Sequence, residues 1–394
     1  MTSEKLWNSN FIKACIGNFL VKFSFTLIVP LLPLYLSETF GAGKDTIGIV
    51  LSCYTLMIIF ISPFSGYLVD SFPRKVVLLI CNFIFFALFA GYIAAGTLTL
   101  FAIFRTVHGA PFGTTIVSLN TVAIDVLPSS RRTEGISYFG LSNNVATALG
   151  PFAAVFALQA ANGNYKILFL FSMMISLVAL IVNSTIKVEK RSYRTESSKV
   201  ISLDRFFLVK GAREALNLIC FAFCFGIIST YVAIYGKEEL GITKGTGYWF
   251  LIFALGLMVS RLTGAQGLKK NKVSANTAEG IVCILIGYLI FAAFRKEWAF
   301  FLAPFIIGLG NGHLYPGFQS MFINLALNSQ RGTANSSMLT SWEAGVGLGV
   351  LMGGILSEHW GYHNAFWVSF AMNIVGTIMF FCISMPHFER NKLR

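Results

Sequence analysis

The 394-residue chain is 55% hydrophobic and only 12% charged, carries 39 phenylalanines against 17 acidic residues, and has a mean hydropathy of +0.70. Soluble domains run at roughly 45–50% apolar and about 25% charged, so too few polar side chains exist here to cover a water-facing globule. The net charge of +13 would suit a nucleic-acid binder if the basic residues shared one folded face, but they stand between apolar runs, and no nucleic-acid partner is expected.

The opening MTSEKLWNSNF runs straight into a full-length apolar stretch and lacks the short core and small-residue cleavage site of a secretory signal, so the first helix is expected to stay in the mature protein. Runs of about 20 apolar residues cross a hydrocarbon core of about 30 Å. They predict twelve transmembrane helices, at 11–36, 46–70, 75–95, 98–127, 134–158, 165–187, 212–237, 245–268, 275–294, 298–326, 332–358 and 363–386. With both termini cytoplasmic, twenty-one Lys and Arg fall on the inner side and six (Lys44, Lys166, Lys237, Lys244, Arg295, Lys296) on the outer side, as the positive-inside bias requires. The expected location is the inner or plasma membrane, with the bilayer as solvent. The one long polar stretch, 188–211, lies at the midpoint and reads as a cytoplasmic linker between six-helix bundles at 1–187 and 212–394. The seven cysteines sit in or beside apolar runs with no metal-type spacing, which reads as packing, and no cofactor or metal is expected.

The two halves share a pattern. Gly109, Gly113, Arg132 and Gly150 recur as Gly308, Gly312, Arg331 and Gly349 at a constant offset of 199 residues, and Ser130, Ser137 and Ser142 recur as Ser329, Ser336 and Ser341. Parallel six-helix repeats are a transporter architecture with a site at the repeat interface.

Between helices two and three, GYLVDSFPRK spaces Gly66, Asp70, Arg74 and Lys75 as in the signature loop of the major facilitator superfamily, which the chain resembles over essentially its whole length. The resemblance implies an all-α integral membrane fold of twelve helices in two pseudo-symmetric six-helix bundles. It also implies close helix approach at Gly66 and a cytoplasmic charge latch made by Asp70 with Arg74 and Lys75. Pro73 stands where the family usually has Gly, and the matching loop of the second half puts Leu268 opposite Asp70, so only the first loop should latch. Helix four carries FRTVHGAPFG, in which Arg105, Gly109 and Gly113 resemble the family motif whose buried Arg is linked to proton transfer. Helix five ends YFGLSNNVATALGPFAAV, where Gly140, Gly150 and Pro151 resemble the antiporter motif of the drug-export branches, with Ala154 replacing the last Gly.

Charges inside spans are costly and mark working parts. Lys22 and Glu343 each lie about eleven residues inside a helix start, roughly 16 Å deep at 1.5 Å per residue, near the midplane. Both, with Arg105 and Asp125, are proton-coupling candidates; a static ion pair is the competing reading, as is a cap or an Arg131 pair for Asp125. Candidate cavity residues are Lys22, His108, Asn143, Asn144, His313, Tyr315, Trp342 and Glu343; an isolated helical His equally reads as a hydrogen-bonded packing residue.

These features point to a secondary active transporter working by alternating access, with proton-coupled efflux of a drug-like compound or metabolite as the leading reading. The alternative is a proton-coupled uptake symporter for a sugar, organic acid or peptide; a non-transporting membrane sensor is the reading from another class. An enzyme is disfavoured, since neither HExxH nor GxSxG occurs, and the missing GxxxxGK[ST] argues against an ATP-driven pump. The expected partners are a small-molecule substrate and protons, with monomer the default state.

Overall fold

The computed structural model describes residues 6–128, 132–188, 207–242, 245–269, 272–327 and 331–393, and among them every regular element is helical. The first span starts as α1 (Ser9–Thr26), capped by the Asn8 side chain accepting from the Phe11 N–H at 2.9 Å. Pro30 lacks the N–H that would reach the Thr26 carbonyl, so α1 stops there, passes through a 3₁₀ turn (Val29–Leu31) and resumes as α2 (Leu32–Phe40). Then follow α3 (Lys44–Ser71), α4 (Arg74–Ala94), α5 (Leu98–Asp125), α6 (Arg132–Ala160) and α7 (Tyr165–Ser184).

After residue 207 come α8 (Ala212–Glu238), α9 (Tyr248–Lys269), α10 (Val273–Ala293), α11 (Glu297–Leu325) and the helical run α12 (Arg331–Met379). The last two predicted spans share α12, which leaves helical geometry at Gly361, where φ is 82° and ψ 161°. Glycine holds that left-handed φ at no steric cost. A π-turn (Phe380–Ser384) and a short α13 (Met385–Asn391) end the chain. Among the described residues these helices follow the twelve-helix order expected of the fold, and eight helical stretches are long and apolar enough by themselves to cross a membrane. Large apolar side chains such as Phe60, Phe83, Ile181, Trp360 and Ile378 are more than half exposed, which suits hydrocarbon and not water.

The chain divides into two compact units. Unit 1 is Met1–Tyr35 with Leu56–Ser198, and unit 2 is Leu36–Thr55 with Lys199–Arg394. In unit 1, α1 packs on α6 and α7, and α4 on α5 and α7. Asn18 donates to the Ser142 hydroxyl at 2.8 Å and Thr26 donates to the Ala146 carbonyl at 3.0 Å, both tying α1 to α6. A methyl at Gly150 would run into Thr26, so that glycine sets the α1–α6 spacing; among the described residues nothing lies within 4 Å of a methyl at Gly140.

In unit 2, α8 packs on α12, and α11 on α9 and α10. Small residues bring backbones together: a methyl at Gly349 would overlap the Phe223 carbonyl, and one at Gly308 the Phe253 carbonyl. The first half of α3 belongs here because Gly48 lies against Leu351 and Gly354 of α12. Contacts thus group Leu36–Thr55 with the second unit, whereas the linker-based reading keeps residues 1–187 together.

Candidate functional site

In unit 1, two cations and two rings alternate. Lys22 Nζ, half-buried on α1, lies 5.3 Å from the Phe112 ring centroid; Phe112 lies 4.5 Å from Phe25; and the Arg105 guanidinium lies 5.2 Å from Phe25. Cation-to-ring distances under about 6 Å are attractive, most of all away from water, and Arg105 is only 3% exposed. Behind Arg105, the Tyr92 hydroxyl meets His108 Nδ1 at 2.7 Å and His108 Nε2 meets the Phe85 carbonyl at 3.0 Å. A carbonyl only accepts, so in the neutral imidazole Nε2 holds the proton and the Tyr92 hydroxyl donates to Nδ1. The guanidinium interacts with that same hydroxyl, giving a buried polar chain from Arg105 through Tyr92 and His108 to the α4 backbone. His108 is completely buried with both nitrogens engaged, which is a packing arrangement and not an open cavity wall.

Asp125 lies at the end of α5, where Arg74 grips it through Nη1 at 2.5 and 2.6 Å. Arg74, placed in the latch by its loop, thus ties the start of α4 to the end of α5. Arg131 lies outside the described residues, as do the side chains of Asp70 and Asn144 and the surroundings of Gly66. Asn143 is described and half-buried on α6, its carbonyl accepting from Thr147 at 2.9 Å.

In unit 2, Trp342 and Glu343 sit half-buried on α12. The Trp342 ring lies 5.5 Å from Phe225 and 5.2 Å, edge-on, from Tyr315, and Phe225 lies 5.7 Å from Phe253. Glu343 therefore belongs to a helix segment whose neighbouring side chain heads an aromatic cluster. His313 is buried away from solvent, its Nδ1 donating to Asn276 Oδ1 at 2.9 Å while Asn276 Nδ2 donates to the His313 carbonyl at 3.2 Å, a reciprocal tie between α11 and α10.

One end of unit 2 holds a charge network that sequence reading registers only as outer-loop lysines and an arginine. Glu358 Oε2 accepts from the Lys44 backbone N–H at 2.7 Å, the Lys44 ammonium lies 4.3 Å from the Tyr362 ring, and the Tyr362 N–H donates to Glu239 Oε1 at 2.9 Å. Lys237 pairs with Glu38, and Arg295 stands 3.9 Å from Glu239. Sequence reasoning also misses Phe25, Phe112, Tyr92 and Phe225. The first stands three residues after Lys22 on one helix face, a detectable spacing; the others become neighbours only through helix packing.

A helical chain with exposed apolar faces, a buried arginine, a half-buried lysine and a half-buried mid-helix carboxylate has the build of a polytopic membrane transporter. The chain belongs to the Major Facilitator Superfamily, whose family model matches residues 14–294 and 278–393. Multidrug resistance protein MdtG of Escherichia fergusonii is 25% identical over 388 residues, covering 92% of this chain and 91% of that protein. Multi-drug resistance efflux pump PmrA of Streptococcus pneumoniae is 23% identical, covering 93% and 94%. The crystal structure of a bacterial homologue of the human lysosomal transporter Spinster superposes with a TM-score of 0.80 over 100% of this chain and 99% of that one, at 11% identity, a likeness of fold. The protein is thus a multi-pass plasma-membrane transporter of small molecules and not an enzyme.

Proposed function

We propose that this transporter exports drug-like organic compounds in exchange for protons, as a monomer with both termini cytoplasmic and bundles at 1–187 and 212–394 joined by the 188–211 linker. The efflux names of MdtG and PmrA and the Gly150–Pro151 segment of α6 support the direction. The carrying observation is the half-buried Glu343 of α12, next in sequence to the Trp342–Tyr315–Phe225 cluster. A carboxyl that alternately gains and loses a proton beside an aromatic surface is what exchange of an organic compound for a proton requires.

Each unit contributes its own contacts. In unit 1, Lys22 sets the local field, Phe25 supplies a ring surface and Asn143 hydrogen bonds; Arg105 holds the field from behind them. In unit 2, Tyr315 and Trp342 are the apolar contacts. His108, His313 and the Arg74–Asp125 pair are assigned to the scaffold that holds these groups in place.

The test is internal pH in proteoliposomes challenged with cationic, neutral and anionic compounds. The wild type is expected to show compound-dependent proton flux, and Glu343→Gln at least a tenfold loss with substrate binding retained. Unchanged flux in that variant removes Glu343 from coupling, and transport with no proton flux for any compound overturns the exchange mechanism.

A further inference from the structure

The end of unit 2 that carries the C-terminus holds a cleft outside the transport machinery. Its volume is about 460 Å³, and Arg213, His387, Arg390 and Asn391 line it together with Cys382 and Ile383. Three features of the local fold assemble it. First, the π-turn over Phe380–Ser384 adds a residue to the helical repeat and so changes which faces of the final segment share a side. The Ser384 hydroxyl contacts the Arg213 carbonyl at 3.4 Å, docking that turn onto the start of α8.

Second, the acids nearby are already committed. Glu214 is fully buried and accepts from His387 Nδ1 at 2.8 Å. Glu389 takes the Ser274 hydroxyl on one oxygen and the Lys392 ammonium on the other. Arg213 and Arg390 are both exposed and make no ion-pair contact within 4 Å among the described residues; Glu214 acts on Arg213 only through space, and no described carboxylate lines the cleft.

Third, apolar side chains stand exposed on the same two segments, Ile383 lining the cleft and Phe381 and Leu216 close by in sequence. Phe381 and Ile383, in the π-turn itself, are 44% and 43% exposed, and Leu216 is 56% exposed one turn into α8. Side chains of this kind at the end of a membrane helix sit in hydrocarbon, so the guanidiniums lie at headgroup level. Planar arginine forks match the paired oxygens of a phosphate diester, and basic pockets between helix ends suit anionic lipid headgroups.

We infer that this cleft is a binding site for the phosphate of an anionic phospholipid, gripped by Arg213 and Arg390 with its chains lying along Leu216, Phe381 and Ile383. The inference is independent of what the protein transports.

The experiment is native mass spectrometry of protein released from nanodiscs of phosphatidylcholine and phosphatidylglycerol, read as the ratio of the two lipid adducts. The wild type should retain phosphatidylglycerol selectively. Arg213→Gln and Arg390→Gln should each lower that preference about fivefold, the worth of one basic side chain at an anionic surface. Lys210→Gln removes an exposed charge two residues before α8 that does not line the cleft, and should leave the ratio unchanged. Arg390→Lys, which keeps charge but loses the fork, should lie between, and it keeps the test open if a glutamine variant is poorly folded. An equal fall in Lys210→Gln, or no preference in the wild type, overturns the site in favour of general surface charge. If millimolar glycerophosphate displaces the lipid and stabilises the protein as strongly in pure phosphatidylcholine, the ligand is a soluble phosphate and the lipid assignment falls.

Discussion

The two units use one repeat to different ends. At the offset of 199 residues, Tyr92, Arg105 and His108 of α4 and α5 correspond to Phe291, Pro304 and Ile307 of α10 and α11. In unit 1 that contact holds a hydrogen-bonded polar chain against a buried guanidinium. In unit 2 it holds aromatic packing, with Phe291 4.8 Å from Phe366, 5.7 Å from Tyr235 and 6.1 Å from Phe300. The polar tie of unit 2, Asn276 with His313, falls at positions occupied in unit 1 by Val77 and Thr114, and Thr114 instead meets the Ser65 hydroxyl of α3 at 2.9 Å. Duplicated helices thus keep their glycine spacing while their buried polar groups move. Among the described residues unit 1 buries its guanidinium, Arg105, beside the α4–α5 contact, whereas unit 2 fills the corresponding contact with rings and buries its carboxyl, Glu214, elsewhere, at the start of α8.

The sharpest way to break this contrast is to write the polar position of unit 1 into unit 2. Ile307→His puts an imidazole where Ile307 is fully buried against Gly287, within a helix contact whose neighbours are apolar. An unpaired buried polar group costs about 1–3 kcal/mol, and loss of the isoleucine packing adds to it, so destabilisation of about 3 kcal/mol is expected. Melting of the purified protein in detergent reads it, and an unchanged midpoint would show that unit 2 can satisfy a polar chain of its own.

A smaller effect separates the paired glycines. The atoms nearest a methyl at Gly349 are all backbone atoms of Phe223, so α8 and α12 must part; at Gly150 the nearest is the Thr26 Oγ1, which can turn, so part of the clash is relieved although the Thr26 Cβ and carbonyl carbon stay close. Gly349→Ala should cost about 2 kcal/mol, as overpacking does, and Gly150→Ala about half that. Gly140→Ala, with no described residue in its way, should instead stabilise α6 by up to about 1 kcal/mol through helix propensity. Equal losses at Gly140 and Gly150 would show that the antiporter-like motif acts as a unit and not through the single close approach at Gly150.

Much of this was legible in the sequence, for a physical reason. Hydrocarbon imposes a length and an apolar composition on every span, so the twelve crossings and their approximate ends follow from run length alone. Arg105, Lys22 and Glu343 stand out because charge in a span is rare. What the chain alone hides is pairing between helices. Asp125 suggests Arg131 by proximity in sequence, yet its described partner is Arg74, 51 residues away across the α4–α5 contact. Tyr92 reads as one of many aromatics until the register of α4 on α5 sets its hydroxyl on His108, and Gly140 and Gly150 look alike until Thr26 is seen beside only one of them.

The smallest expected effect tests whether the polar chain of unit 1 is more than a strut. Tyr92→Phe keeps the ring, which packs 4.9 Å from Phe101 and 5.7 Å from Phe169, and removes only the hydroxyl. His108 Nδ1 then loses its donor in a site with no access to water, a loss of about 1 kcal/mol. If the chain serves only to pack α4 on α5, the melting midpoint falls by that amount and transport turnover is unchanged. If it also holds the Arg105 guanidinium at its position over Phe25, turnover falls further than stability does, and His108→Gln, whose amide can still accept from Tyr92, restores part of it. Loss of turnover in Tyr92→Phe with no change in melting would separate the two roles, because a hydroxyl that contributes nothing to folding yet matters for transport can act only through the charge it touches.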